Sequence, residues 1–152
     1  MRNNLESIGA ADFFYILQEV PELCDPFIDI AKELWNFRDE RCREIIILRI
    51  ASSISSSYEL QHHLTIARNV GLTAYEIEAI IQGKFLEPYK KHENILLSTI
   101  DAIINKETLD KEKFLEYYTN NELQYVIAFV GFYSWLNYYT TALDLKVGQR
   151  EW

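Results

Sequence analysis

The chain has 152 residues, 49% of them hydrophobic and 25% charged, with a net charge of −8. That length supports one domain with a sizeable core rather than two. The acidic balance, without clustered Lys and Arg, excludes a phosphate-backbone partner, so no nucleic-acid binding is expected.

No run approaches the roughly 18 apolar residues of a membrane helix, so no membrane partner is expected. The first seven residues lack the apolar core of a signal peptide, which favours the cytoplasm. Cys24 and Cys42 are too far apart for a redox pair or a metal box and read as reduced structural thiols. With 5 Gly and 3 Pro, the composition suits helices better than strands.

Residues 1–10 read as a terminus that frays or docks in an oligomer. A first helix spans 10–19, with Phe13, Phe14 and Leu17 inward. Pro26 suits the first turn of a second helix reaching about Phe37, with Asp25 as N-cap and a stripe of Phe27, Ile30, Ala31 and Leu34. A third helix starts near Asp39 and reaches about Ser53. Its segment Glu44–Ala51 is apolar nearly all round, which marks a central buried helix. The Ser-rich run 52–57 turns the chain, and its hydroxyls are expected to cap the next helix. A negative group is favoured at that helix start, so a substrate carboxylate could exploit it.

The fourth helix ends at Val70, with Gly71 in the left-handed position. Thr73 and Glu76 form a capping box that opens a fifth helix, which Gly83 ends. After a loop containing Pro88, a sixth helix spans about 90–105 with Ile95, Leu96, Thr99, Ile100 and Ile103 inward. Asp110 caps a seventh helix to Tyr118. Thr119 and Glu122 form a second capping box, opening a long last helix over about 121–143. Leu123, Val126, Ile127, Val130, Trp135 and Leu136 supply its apolar surface. Gly131 in its middle suggests a closely packed neighbour. Phe129, Phe132, Trp135 and Tyr139 read as core or subunit interface, and 144–152 as a tail.

The fourth helix holds the anomaly. Its stripe of Leu60, Ile66, Ala67 and Val70 contains three polar residues, Ser56, Glu59 and His63, stacked three and four apart. Glu44 shares a stripe with Ile47, Leu48 and Ala51 and should also point inward. A carboxylate and an imidazole in an apolar interface are costly unless they pair or do chemistry. Two helices joined by a short turn could bring Glu44, Ser56, Glu59 and His63 together. His63 is then a general acid or base. Glu59 is its i, i+4 partner or itself the base, and Glu44 a third relay member or the partner of Arg49 or another Arg. His62 points away and reads as a surface residue. Tyr58 and Tyr133 are hydroxyl donors for a substrate oxyanion. Glu59 and His63 supply only two ligands and His92 is unlinked by spacing, so no metal is assigned.

The run from Arg41 to Leu72 resembles the carboxymuconolactone decarboxylase superfamily, which includes the alkylhydroperoxidase D proteins. The likeness rests on Glu44–Ala51, Tyr58-Glu59, His63, Ile66-Ala67-Arg68 and Gly71-Leu72, and extends over residues 38–145, with 1–37 as a helical extension of a single domain. The resemblance implies an all-α multi-helix bundle and a homo-oligomer (dimer, trimer or hexamer). In the peroxidase branch the site is Cys-x-x-Cys, a His four residues on and a Glu upstream. His63 matches that His and Glu44 that Glu, while Ser56 and Glu59 stand where the thiols would be. The Cys-less branch, nearer the decarboxylases, fits better.

What this implies is a lyase-type enzyme acting on a small organic acid or lactone, an anionic one included, with no cofactor. Catalysis would rest on His63, Glu59 and Glu44, and substrate binding on Ser56, Tyr58 and Tyr133. The alternatives are a peroxidase-like antioxidant, which needs a low-pKa thiolate such as Cys42, and a non-catalytic helical ligand-binding module.

Overall fold

A computed structural model of the chain describes residues 12–87 and 90–148. Among these residues there are eight helices and no strand, as expected of an all-α bundle: α1 (Asp12–Leu17), α2 (Pro21–Trp35), α3 (Glu40–Ser53), α4 (Ser57–Asn69), α5 (Ala74–Ile81), α6 (Lys91–Ile104), α7 (Lys111–Leu115) and α8 (Asn120–Ala142). The terminus expected at 1–10, Pro88 in its loop and the last four residues of the expected tail lie outside the described residues. No described helix is long and apolar enough to cross a membrane.

The bundle is built around α3, which packs against α4, α5, α6 and α8. Cys42 and every residue from Glu44 to Ala51 are buried, so the all-round apolar pattern does mark the central helix. Full burial of Ile45, Ile46, Leu48 and Ile50 contributes about 1.5–3 kcal/mol each. Asp39 starts the helix, its side chain accepting from the Cys42 N–H at 2.7 Å.

Charged groups tie the neighbours to this axis. Near its start, Arg41 donates to Glu93 at 2.9 Å, to Glu76 at 2.6 Å and to the Gly71 carbonyl at 3.1 Å. Lys90 adds a contact to Glu76 at 2.9 Å. Further along, buried Arg49 pairs with Asp101 of α6 and donates to the carbonyls of Ile80 at 2.9 Å and Gly83 at 3.2 Å. It thereby anchors the end of α5 and the turn after it to α3.

Both capping boxes are present, at Thr73 with Glu76 and at Thr119 with Glu122. Gly71 has φ +90° and Gly83 φ +74°, as helix-ending glycines require. Asp110 caps α7 through the Lys113 N–H at 3.1 Å, though α7 stops at Leu115.

Five local expectations are corrected. First, α2 starts at Pro21, so Pro26 lies inside it and Asp25 caps nothing. A proline at N1 loses no bond, and Pro21 takes that place ahead of Pro26. Second, Ile30 is exposed, and Ile28 takes the inward position. Third, Ile127 and Trp135 of α8 stand largely outward, while Phe129, Phe132 and Tyr133 face the core. Fourth, Gly131 lies on the exposed side, and a Cβ there would meet nothing within 4 Å, so it accommodates no close neighbour among the described residues. Fifth, Ser56 holds the N-cap position of α4, but its hydroxyl caps nothing.

The α3–α4 turn is what positions the site. Ser55 adopts φ +58° without being glycine. The Ser56 N–H bonds the Ala51 carbonyl at 2.8 Å and the Ser55 N–H the Ser52 carbonyl at 3.2 Å. This double closure is a Schellman turn. It folds α4 back along α3 within a few residues.

Candidate active site

On α4 the most buried face is polar. Glu59 and His63 are 3% exposed with Ala67 beneath them, while Leu60, Ile66 and Val70 are only half-buried flanks. Residues 59, 63 and 67 are one turn apart, so a single face carries all three. Because the turn is tight, that face meets Glu44 on α3. The His63 Nδ1 lies 2.9 Å from Glu44 Oε2, and its Nε2 lies 3.5 Å from Glu59 Oε2. The first is a hydrogen bond of ordinary length; the second is a looser ion-pair contact. Arg49 is committed to Asp101, so Glu44 partners the histidine rather than an arginine.

Burial by itself would lower the His63 pKa. The bond to Glu44 and the contact with Glu59, with their two charges, outweigh it and push the value up to about 9. At neutral pH this favours the protonated ring, held between Glu44 and Glu59. Tyr133, on α8, stacks edge-on to His63 with centroids 5.8 Å apart. Burial, then the Glu59 and Glu44 charges, hold its hydroxyl well above the usual phenol range, so it stays an O–H donor.

Beside His63 a small cleft opens toward solvent, lined by Phe13, Phe14, Trp35, Glu59, His62, His63, Phe132, Tyr133 and Leu136. Its free volume is about 30 Å³, room for one or two waters. On the far side of Tyr133 and Phe132, Glu44 and Arg43 border a second gap of about 10 Å³. Glu44 thus orients His63 from behind, while Glu59 and the imidazole face the cleft.

The fold brings Glu44, Glu59, His63 and Tyr133 together. It does not bring Ser56 or Tyr58 to the cleft. Ser56 is buried, and its Oγ has no hydrogen-bond partner among the described residues. The Tyr58 hydroxyl accepts a bond from the Phe13 N–H at 3.4 Å and lines a separate cavity of about 120 Å³ with Ser57, Asn137, Thr140, Thr141, Asp144 and Leu145. His62, expected at the surface, is half-buried at the cleft rim.

Phe13, Phe14 and Trp35 are the wall residues that spacing did not point to as a site. All three come from the first two helices, and nothing in their pattern separates a wall from a core. Cys24 and Cys42 are both free and buried. Burial, then Asp39, pushes the Cys42 thiol up to about 12, which opposes a reactive thiolate. Among the described residues no cluster of three or more His, Cys, Asp or Glu could hold a metal ion.

Residues 27–84 match the model of the Carboxymuconolactone decarboxylase family, a span that includes Glu44, Glu59 and His63. No curated protein matches the chain significantly. Among solved structures, the chain is similar to a cysteine-to-alanine variant of the debrominase Bmp8 in complex with 2,3,4-tribromopyrrole. The TM-score is 0.78 at 18% identity, over 96% of this chain and 82% of that one. It is also similar to a protein of unknown function from Agrobacterium tumefaciens, ATU0492, provisionally described as the antioxidant defence protein AhpD. There the TM-score is 0.75 at 17% identity, over 90% of this chain and 96% of that one. At such identities the two structures bear on the fold.

Proposed function

We propose that this chain is a member of the carboxymuconolactone decarboxylase-like, alkylhydroperoxidase D-like superfamily and an enzyme that performs lyase-type proton transfer on a small organic acid or lactone. The observation that carries this reading is the buried His63, bonded to Glu44 at 2.9 Å and in contact with Glu59 at 3.5 Å at the edge of a cleft. Decarboxylation or double-bond migration leaves an electron pair conjugated to a carbonyl. That pair must be held, and a proton must then reach carbon. Tyr133 supplies an O–H to the carbonyl oxygen as charge develops there. His63 delivers its proton to carbon, and Glu59 accepts the proton removed from substrate or relays one back to the ring. Glu44 is a positioning residue that fixes the imidazole and supports its charge. No cofactor is needed for these steps.

The debrominase likeness is consistent with a small-molecule ligand in this fold. The antioxidant alternative draws no support from the two buried thiols. Ser56 and Glu59, at the positions where the resemblance puts cysteines, carry no sulfur.

The test is a panel of unsaturated lactones and keto acids incubated with the protein in D₂O, with deuterium at carbon read by NMR. Wild-type protein is expected to label at least one of them. His63→Gln, checked for folding by circular dichroism, should be slower by about 10²–10⁴-fold, the usual worth of a positioned acid. Equal labelling by wild type and His63→Gln would overturn the proposal.

A further inference from the structure

His63 is 3% exposed, and its Nδ1 is bonded to Glu44 at 2.9 Å, which leaves Nε2 as the nitrogen on the cleft side. Four residues that line the cleft titrate: Glu59, His62, His63 and Tyr133. Glu59 and Tyr133 are buried like His63, at 3% and 5% exposed. His62 alone of the four is half-buried, so it meets solvent at one edge and the cleft at the other. The remaining wall is apolar or aromatic and holds no other titrating group. The His62 and His63 rings stand 5.1 Å apart, centroid to centroid, with their planes at 81°. One water can bridge that span, and the free volume of about 30 Å³ has room for it. The way out behind the ring is narrower. The gap that Glu44 borders has only about 10 Å³. Arg43 stands in its wall, donating to the carbonyls of Phe37 at 3.3 Å and Arg38 at 3.1 Å, and a guanidinium keeps its protons near neutral pH.

We infer that His62 is the port through which protons reach and leave His63. A proton from solvent joins one nitrogen of the His62 ring, and the ring releases one from its other nitrogen to a water in the cleft. That water passes a proton to Nε2 of His63, and the reverse sequence carries one out. Each step breaks one N–H or O–H bond and forms another, so rings and water return unchanged and nothing is oxidised. Histidine suits the task because it takes up and gives up protons near neutral pH. His62 acts through His63 and touches no reacting atom. The inference rests on the proton-transfer reading above, which needs His63 reloaded after each turnover.

Exchange of the His63 ring N–H with water, read by NMR at pH 7 in weakly buffered solution, tests this on the full chain without substrate. His62→Ala is expected to slow exchange by about tenfold, less than the worth of a positioned acid because bare water still enters the cleft. Imidazole, seated in the space the side chain leaves, should restore the rate. Pyrazole, of the same shape but not basic near neutral pH, should not. His62→Gln keeps bulk at the rim without the proton affinity and should be slow too; it decides alone if His62→Ala misfolds. Wild-type exchange in the variants, or equal rescue by pyrazole, overturns the inference. Deuterium labelling at carbon, run on the same proteins, separates the two readings. Labelling by wild type with unchanged N–H exchange in the variants removes the His62 port and leaves the lyase reading. Slowed and rescued exchange without labelling by wild type does the reverse.

Discussion

Replacing Glu44 by Gln keeps the shape and an oxygen for the His63 Nδ1–H, and removes only the charge. In the native protein the His63 pKa is raised from 6.5 to about 9. At about 1.4 kcal/mol per pH unit, that elevation corresponds to roughly 3 kcal/mol of stability. The sign follows from linkage. A group whose folded pKa is raised contributes fully below its unfolded pKa and loses the contribution as pH rises through the folded value. Here the window runs from 6.5 to about 9. Glu44 holds the shorter of the two contacts, so we assign it the larger share, about 2 kcal/mol. Urea unfolding of wild type and Glu44→Gln at pH 6 and pH 10 measures it. The variant should be less stable by about 2 kcal/mol at pH 6, and by a small fraction of that at pH 10. An NMR titration should show the His63 pKa falling in the variant. A difference that stays constant with pH, or grows toward pH 10, would refute the assignment of a buried imidazolium.

Three other outcomes are expected. Arg49→Met should destabilise by about 2–3 kcal/mol in urea unfolding, because it removes the partner of Asp101 and the side-chain bonds to the carbonyls of Ile80 and Gly83. Gly131→Ala should stabilise by about 1 kcal/mol and raise Tm by about 3 °C, since the added methyl meets open space in mid-helix; a lower Tm would mean that this face is covered. Native Cys42 should resist iodoacetamide at pH 8, where a thiol pushed up to about 12 is roughly one part in ten thousand thiolate, and should react only after denaturation. Fast alkylation of the folded protein, followed by mass spectrometry, would contradict this.

Helix type and order were legible in the chain because they are written locally. Caps, left-handed glycines and helical periodicity act within four residues, so Asp39, Thr73, Asp110 and Thr119 stand where spacing put them. The inward aim of Glu44, Glu59 and His63 was legible for the same reason: a polar residue inside an apolar stripe can be seen in one dimension. Which outer residues of α2 and α8 are covered was not legible. Ile30, Ile127 and Trp135 fit their stripes as well as their buried neighbours do, and only the angle at which each helix lies on the bundle separates them. Pro26 misled because a proline tolerated inside a helix looks, in sequence, like one that starts it.

The chain by itself therefore determined an all-helical bundle around residues 44–51 and a buried pairing of acid and imidazole. Only the tertiary structure decided which acid holds which nitrogen. It also decided that Tyr133 rather than Tyr58 lies beside His63, and that aromatic side chains from α1 and α2 line the cleft there. The reason is distance along the chain. Residues 59 and 63 meet through one helical turn, whereas Tyr133, Phe13 and Trp35 reach His63 only because α1, α2 and α8 pack together, and no local pattern encodes that packing.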